Sequence, residues 1–523
     1  MLNFALPTQI IMKITSLLLL FIALSLKMTS FASNNNLPKD LKSPVGTTTE
    51  TTIVLIWDKP DSYANISEYA IFQNGKYLAS SSITNYTVHH LTPNTTYSYT
   101  IKSKNDKGEL STSGNEIKVT TKKSGKIFNI LDYGAKGDSI TLNTKAIQKA
   151  INACTPGGMV LIPEGIFLSG ALYLKSDMTL YIKKGGVLKG SIKTADYDSI
   201  ITTRFEGWEV KSYSSLITAG TYDASGKINI HDLSIRGEGK IYGGGTPLGK
   251  AMIAAKGLRG RGRLICIMNC QNLDIQGLAI ENPPCWTIHY TYCRNVNCHD
   301  LNIYSNTANG DGIDPDSSVD SEIFNCTFST GDDCIAIKSG KNPEGNVVNK
   351  PTENIRITNC SFPRGHSLAV GSEMSGGVRN VFIRDCKLGN LFYGLQIKGS
   401  KERGGYVENV VAKDCDLQQI KIVTSFNYNN DGAAAPEQPI FRNMEFSNLD
   451  MRTASTKMPV IFMEGFDNPA HFTNNIKLKN IMLPEGSNVY LKNCDHILFE
   501  NVTQSESKQK PVYNVISSAN INY

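Results

Sequence analysis

Between residues 38 and 121, apolar and polar positions alternate in short runs separated by turns. Thr52-Ile53-Val54-Leu55-Ile56-Trp57 is one such run and Thr96-Tyr97-Ser98-Tyr99-Thr100-Ile101 is another. Glu68-Tyr69-Ala70-Ile71-Phe72 leads into Asn74-Gly75, a hairpin signal. This pattern predicts a small β-sandwich over residues 38–122, with Lys122-Lys123-Ser124-Gly125-Lys126 as a linker. Further on, one unit recurs: Asn or Asp, apolar, any, apolar, any, polar or Gly, apolar. It begins at Asn272, Asn295, Asp320, Asn354, Asn380, Asn409, Asn443, Asn475 and His496, with an earlier copy expected at Asn229. Steps of 21 to 34 residues indicate a solenoid whose coils carry loops of unequal length. Because the unit has period two, the coils are strands, and residues 126–523 are predicted to form a parallel β-helix. The fold class is therefore all-β. Asn143 to Ile151 reads as one capped amphipathic helix plugging the open end of the solenoid, and the first coil is expected from Gly157.

The repeat explains four of the twelve cysteines. Cys326, Cys360, Cys386 and Cys415 take the final apolar slot of successive copies, where Leu278 and Leu301 stand earlier. A thiol there acts as a small hydrophobe. Side chains stacked in one column point the same way, which is poor disulfide geometry. Buried free thiols are expected, although twelve cysteines in an exported chain would otherwise suggest bridges. No Cys/His group has metal-ligand spacing, and neither a metal nor another cofactor is expected.

Residues 1–32 read as a secretory signal. Lys13 precedes the apolar run 14–26, and Ser30-Phe31-Ala32 supplies small residues for cleavage. The run is too short for a membrane span. The mature chain is expected to be exported, secreted or periplasmic, off the membrane and monomeric. The formal net charge is +6, or +4 without Lys13 and Lys27. Mild basicity suits an acidic substrate. No Lys/Arg block is present and aromatics are not interleaved with basic residues, so a nucleic-acid partner is not expected.

Candidate chemistry lies between residues 309 and 398. Asn309-Gly310-Asp311 is followed by Gly331-Asp332-Asp333-Cys334, then Gly365-His366-Ser367, then Gln396-Ile397-Lys398. Neighbours in a strand point to opposite faces, so an adjacent Asp pair beside an apolar run is unusual. Like charges in one site push their pKa values apart, leaving a protonated acid beside an ionised base. Hydrolysis of a glycosidic bond needs that division. Asp314 and Asp316 read as loop carboxylates. His289 fits a cleft contact or a structural histidine, Arg403 a carboxylate ligand or a loop brace, and Glu373 a substrate contact or a turn-fixing acid.

These motifs, with Phe128-Asn129-Ile130-Leu131-Asp132-Tyr133-Gly134-Ala135-Lys136-Gly137-Asp138 and Gly371-Ser372-Glu373-Met374-Ser375-Gly376-Gly377, resemble glycoside hydrolase family 28, the polygalacturonases. The resemblance spans roughly residues 126–520. It implies a right-handed parallel β-helix that hydrolyses α-1,4 galacturonosyl bonds of pectin, an acidic plant polysaccharide, with inversion. It implies that Asp332 is the general acid, that Asp311 and Asp333 activate the water, that His366 supports the acid and that Lys398 binds a substrate carboxylate. Asn309, Gln396, Arg403 and His289 are carried over as candidate substrate contacts. The Trp57 strand, Tyr69, the 91–97 turn and Val119-Thr120-Thr121 resemble a fibronectin type III domain. Such a front domain, with Asp314-Pro315-Asp316 and the 373–377 wording, resembles the bacterial exo-acting members. Two positions depart from the family: Gly310 replaces a Thr, and Gln396 replaces an Arg. A neutral amide in place of a two-pronged cation weakens a uronate contact, so rhamnogalacturonan or xylogalacturonan is an alternative substrate. A β-helix lyase, with calcium and a basic residue, and a non-catalytic polysaccharide-binding solenoid are the alternatives from other classes.

Overall fold

The computed structural model describes residues 36–197, 199–425 and 432–523. The expected signal segment lies outside the described residues. No helix among them is long and apolar enough to cross a membrane. The chain divides into two compact units between Ser124 and Gly125.

In the first unit, Lys39–Lys42, Ile53–Asp58 and Asn85–Val88 form one antiparallel sheet. Lys76–Ser81, Ile66–Gln73, Thr96–Asn105 and Ile117–Thr120 form the other. Ile53, Leu55, Trp57, Tyr69, Ile71 and Tyr99 fill the space between. Trp57 meets Tyr69 edge to face at 5.4 Å, so it is core rather than a sugar platform. Tyr97 is half-buried, and its hydroxyl accepts a bond from the Thr92 N–H at 3.0 Å. Asn74 and Gly75 both adopt positive φ, the turn that a two-residue hairpin requires.

The second unit is two long parallel sheets whose strands recur coil by coil. The register is that of the recurring unit: Leu273, Val296, Ser321, Ile355, Val381, Val410, Met444, Ile476 and Ile497 stand in one column. The residue before each of them has positive φ, from Asn272 at 62° to His496 at 52°. Asn tolerates this left-handed corner because its short polar side chain bonds locally. Here the amides also bond up the stack. Asn295 donates to Asn272 at 2.9 Å, Asn380 to Asn354 at 3.0 Å and Asn409 to Asn380 at 3.1 Å. The copy expected at Asn229 begins instead at Asp232, which is the residue with positive φ and whose carboxylate accepts from Asn272.

Cys326, Cys360, Cys386 and Cys415 follow Leu278 and Leu301 in one buried column. All four are free thiols. Burial pushes Cys360, Cys386 and Cys415 well above the usual thiol range. The helix Thr144–Ala153 buries Ile147, Ala150 and Ile151 against the same core. Asn143 precedes it but does not cap it. Its side chain is used on the preceding loop, accepting from Lys136 N–H at 2.7 Å and donating to the Thr141 carbonyl at 2.7 Å.

Candidate active site

The second parallel sheet contains Ile313–Asp316, Ile335–Ile337, Ser367–Val370, Gly394–Lys398 and Ile420–Val423 in that order. Period two turns Ile313, Ile335, Leu368 and Leu395 into the core, where they are buried. The alternate positions Asp314, Ala336, Ala369 and Gln396 form the next column, on the outer face. Asp311, Asp332, Asp333 and His366 lie in the turns leading into these strands. Stacking therefore gathers residues far apart in sequence.

Asn309, Asp311, Asp332, Asp333, His366, Gln396 and Lys398 all line one cavity of about 470 Å³. His366 Nδ1 is 3.1 Å from Asp332 Oδ1. Asp333 Oδ2 is 2.8 Å from Lys398 Nζ, and its other oxygen accepts from Ser367 Oγ. Arg261 Nη2 donates to Asn309 Oδ1 at 2.9 Å. Gly310 is explained by space. A Cβ there would stand 1.9 Å from Ser305 Oγ and 2.5 Å from the Thr307 carbonyl, so this loop admits no side chain.

Lys338 was not singled out by the sequence reading, and it organises the acids. It is buried, with Nζ 3.5 Å from Asp314, 3.5 Å from Glu373, 3.7 Å from Asp311 and 4.7 Å from the Trp286 ring centre. Its charge balances three carboxylates, Asp314 from a strand and Asp311 and Glu373 from the loops beside the sheet. The repeat of apolar-x-apolar before Lys338 was the available signal. Asp314 and Asp316 are not loop carboxylates. They belong to the strand Ile313–Asp316 and are fully buried. Asp316 binds Arg204 Nη1 at 2.7 Å and lies 3.3 Å from His289 Nε2.

Two candidate contacts do not reach the cavity. His289 faces outward from its strand, but Trp286 packs edge-on over it at 5.1 Å and Asp316 and Thr291 flank its Nε2. It is a structural histidine, pushed down to about 4 by burial. Arg403 is fully buried and donates to the Ser372 carbonyl at 3.0 Å and to Asn342 Oδ1 at 2.8 Å. It braces the loop carrying Glu373, and Glu373 itself lines the cavity.

The segment after residue 196 builds one wall. Ile200–Phe205 and Trp208–Tyr213 form an antiparallel hairpin turning at Glu206 and Gly207, both at positive φ. Arg204 anchors it on Asp316, Arg263 donates to the Arg204 carbonyl, and the Phe205 ring lies 4.6 Å from Trp286. Glu206 consequently lines the cavity, held by Arg259 at 3.1 Å.

The surroundings separate the acids electrostatically. Burial, then the neighbouring Asp314 and Asp332, hold Asp311 well above the usual carboxylate range. Burial pushes Asp314 up to about 7, partly offset by Lys338. Burial also acts on Asp332, but the His366 hydrogen bond and charge, then Lys398, outweigh it and bring Asp332 below its ordinary value. His366 rises in return. Asp332, Asp333 and His366 also bring one ligand atom each within 4.8 Å of one another, close enough to hold a cation. Lys398 and His366 already supply positive charge at those carboxylates, so a metal would have to displace it.

Clustered carboxyls beside ammonium groups in an outward cleft of a parallel β-helix supply the paired acids that cleavage of a glycosidic bond needs. Residues 177–501 match Glycosyl hydrolases family 28, and the chain belongs to that family as a polygalacturonase-type glycoside hydrolase. Residues 38–120 match the Fibronectin type III domain, and residues 127–190 match Rhamnogalacturonase A/epimerase, pectate lyase-like. An Exo-poly-alpha-D-galacturonosidase of Dickeya chrysanthemi is 26% identical, with 91% of this chain and 92% of that protein covered. The solved structure of a Yersinia enterocolitica family 28 exopolygalacturonase is similar with a TM-score of 0.84 at 25% identity, covering 92% of this chain and 98% of that one. A hyperthermoactive exopolygalacturonase from Thermotoga maritima matches with a TM-score of 0.61 at 27% identity, over 74% of this chain and 92% of that one.

Proposed function

We propose that this chain hydrolyses the α-1,4 galacturonosyl bonds of polygalacturonate from a chain end, with inversion. The observation that carries the reading is the Asp332–His366 pair set in a cavity with the buried carboxyl of Asp311 and walled by the Glu206 hairpin. A pocket closed on one side suits a chain end better than a polymer interior. The exo-acting relatives support the same choice.

Asp332 and His366 stand 3.1 Å apart, and against the cost of burial each shifts toward the ion pair, so in this reading one proton is held between them. As the glycosidic oxygen replaces water beside Asp332, the proton moves onto that oxygen. The bond from the anomeric carbon to the leaving oxygen breaks while water attacks the opposite face. The proton of the water passes to an ionised carboxylate, Asp311 or Asp333. Burial, which raises the affinity of Asp311 for a proton, makes it a strong acceptor once ionised. Lys398 offers its ammonium to a substrate carboxylate.

Gln396 supports a second reading. It is buried in the cavity wall and offers only a neutral amide, which fits a neutral, esterified or branched sugar and hence rhamnogalacturonan or xylogalacturonan. Product profiling over time separates the readings. Release of short galacturonides from polygalacturonate from the first minutes is expected. Turnover of rhamnogalacturonan alone would favour the second reading. Export, supported by the apolar run 14–26, predicts this activity outside the cytoplasm.

A further inference from the structure

The coil after Lys398 places another cation against a residue that lines the same cleft. In the strand Ile420–Val423, Ile420 and Ile422 are buried and Lys421 stands on the outer face. Its backbone is in register with Gln396, and Lys398 pairs with Val423. Lys421 Nζ lies 3.9 Å from the centre of the Tyr393 ring. Tyr393 itself lines the cavity beside Gln396 and Lys398. Lys398 is already paired with Asp333 at 2.8 Å. Among the described residues no carboxylate pairs with Lys421. Burial, then repulsion from Lys398, lowers the Lys421 pKa, so the two ammonium groups share one field. An ammonium held half-buried on an aromatic face has lost part of its hydration without gaining an anion.

We propose that Lys421, resting on Tyr393, binds the carboxylate of a second uronate, one sugar along from the one held by Lys398. The proposal rests on the galacturonan reading above. Neighbouring strands lie about 4.8 Å apart, close to the length of one pyranose. A polymer lying along the stack therefore presents about one carboxylate per coil. The cation order Lys398, Lys421 follows that spacing, and Tyr393 lines the cavity beside the second sugar.

The test uses the whole chain with galacturonate oligomers as substrates and their methyl esters as competitors. Lys421→Gln should raise KM for the acid oligomers about tenfold, the loss expected for one charge-assisted contact, with kcat nearly unchanged. Lys421→Arg, which keeps the charge, should restore most of the affinity. Inhibition by the methyl esters should be the same in all three proteins. An unchanged KM in Lys421→Gln, or equal weakening of acid and ester, overturns the subsite while leaving the hydrolase reading intact. Wild-type protein that cleaves no galacturonate oligomer overturns both. Thermal midpoints identify a folding defect, and in that event the Lys421→Arg affinity decides alone: a KM as poor as that for an uncharged contact overturns the proposal.

Discussion

Asp311 and Asp332 are the same residue type one coil apart, yet their surroundings push them in opposite directions. Asp311 is buried among other acids, and Asp332 meets a histidine at the cavity mouth. Asp332→Asn should lower turnover by about 10²–10⁴-fold while oligomer binding persists, because general acid catalysis contributes about that much. Near wild-type turnover would remove Asp332 from the role. The same pair sets the pH profile. Activity should rise with pH as Asp311 ionises, at a pH well above ordinary carboxylates. It should fall again as the Asp332–His366 pair loses its proton, above the usual histidine value. Replacing His366 with Gln should move the falling limb, which a kcat/KM profile would record. Gln396→Arg separates the two substrate readings. On polygalacturonate the new cation should lower KM, since a charge-assisted contact is worth about 1.5–3 kcal/mol against about 1 for a neutral one. If the natural sugar is neutral or branched, activity on it should fall instead.

At the scale of the element, the hairpin 200–213 supplies one wall of the cleft through Glu206. Its tip depends on Gly207, which has φ +79° and whose added Cβ would stand 2.4 Å from Lys341 Cβ and 2.7 Å from Lys341 N. Gly207→Val should force the tip away from the wall and let polymer pass, so early products should include longer oligomers. A product spectrum unchanged from wild type would mean that the hairpin does not limit the cleft. Just behind the tip, Arg204 ties the hairpin to Asp316, and Asp316 touches His289. Burial lowers His289 below its ordinary value near 6.5. A histidine depressed in the fold stabilises it fully above about 6.5, and that stability is lost as pH falls toward about 4. Asp316 adds its share at lower pH. Although burial pushes it up, Arg204 and then His289 hold it well below the usual range, so its contribution persists above about 3.9 and goes only as pH falls through its depressed value. Denaturant midpoints should therefore drop between pH 7 and pH 5, and a flat midpoint over that window would contradict the buried neutral histidine.

At the scale of the molecule, the β-helix turns a one-dimensional repeat into a wall. Each coil fixes the next by register, so the cysteine column, the asparagine corners and the active-site columns are consequences of one stacking rule. All twelve cysteines are buried as free thiols. A thiol reagent should find almost none in the native protein and all twelve after denaturation. Oxidised cysteines in the 326–415 column would undo the register itself.

The division between what was legible in the sequence and what was not follows the range of the interactions. Period two, asparagine at each corner and the Leu278-to-Cys415 column are local or nearest-neighbour properties, and the linear order of residues reveals them. The one misplaced copy, at Asn229 rather than Asp232, arose where two Asn/Asp residues three apart competed for the corner. Asp311, Asp332, Asp333, His366, Gln396 and Lys398 were likewise legible, because the stack carries residues at equivalent coil positions onto one face. Burial could not be read in this way. Asp314, Asp316, His289 and Arg403 stand on or beside the same face, but a distant hairpin and the packed loop around Ser372 and Asn342 cover three of them, and Lys338 gathers the fourth with Glu373. Whether an outward side chain meets solvent, sugar or another part of the chain depends on contacts across a hundred residues, and those only the tertiary structure decided.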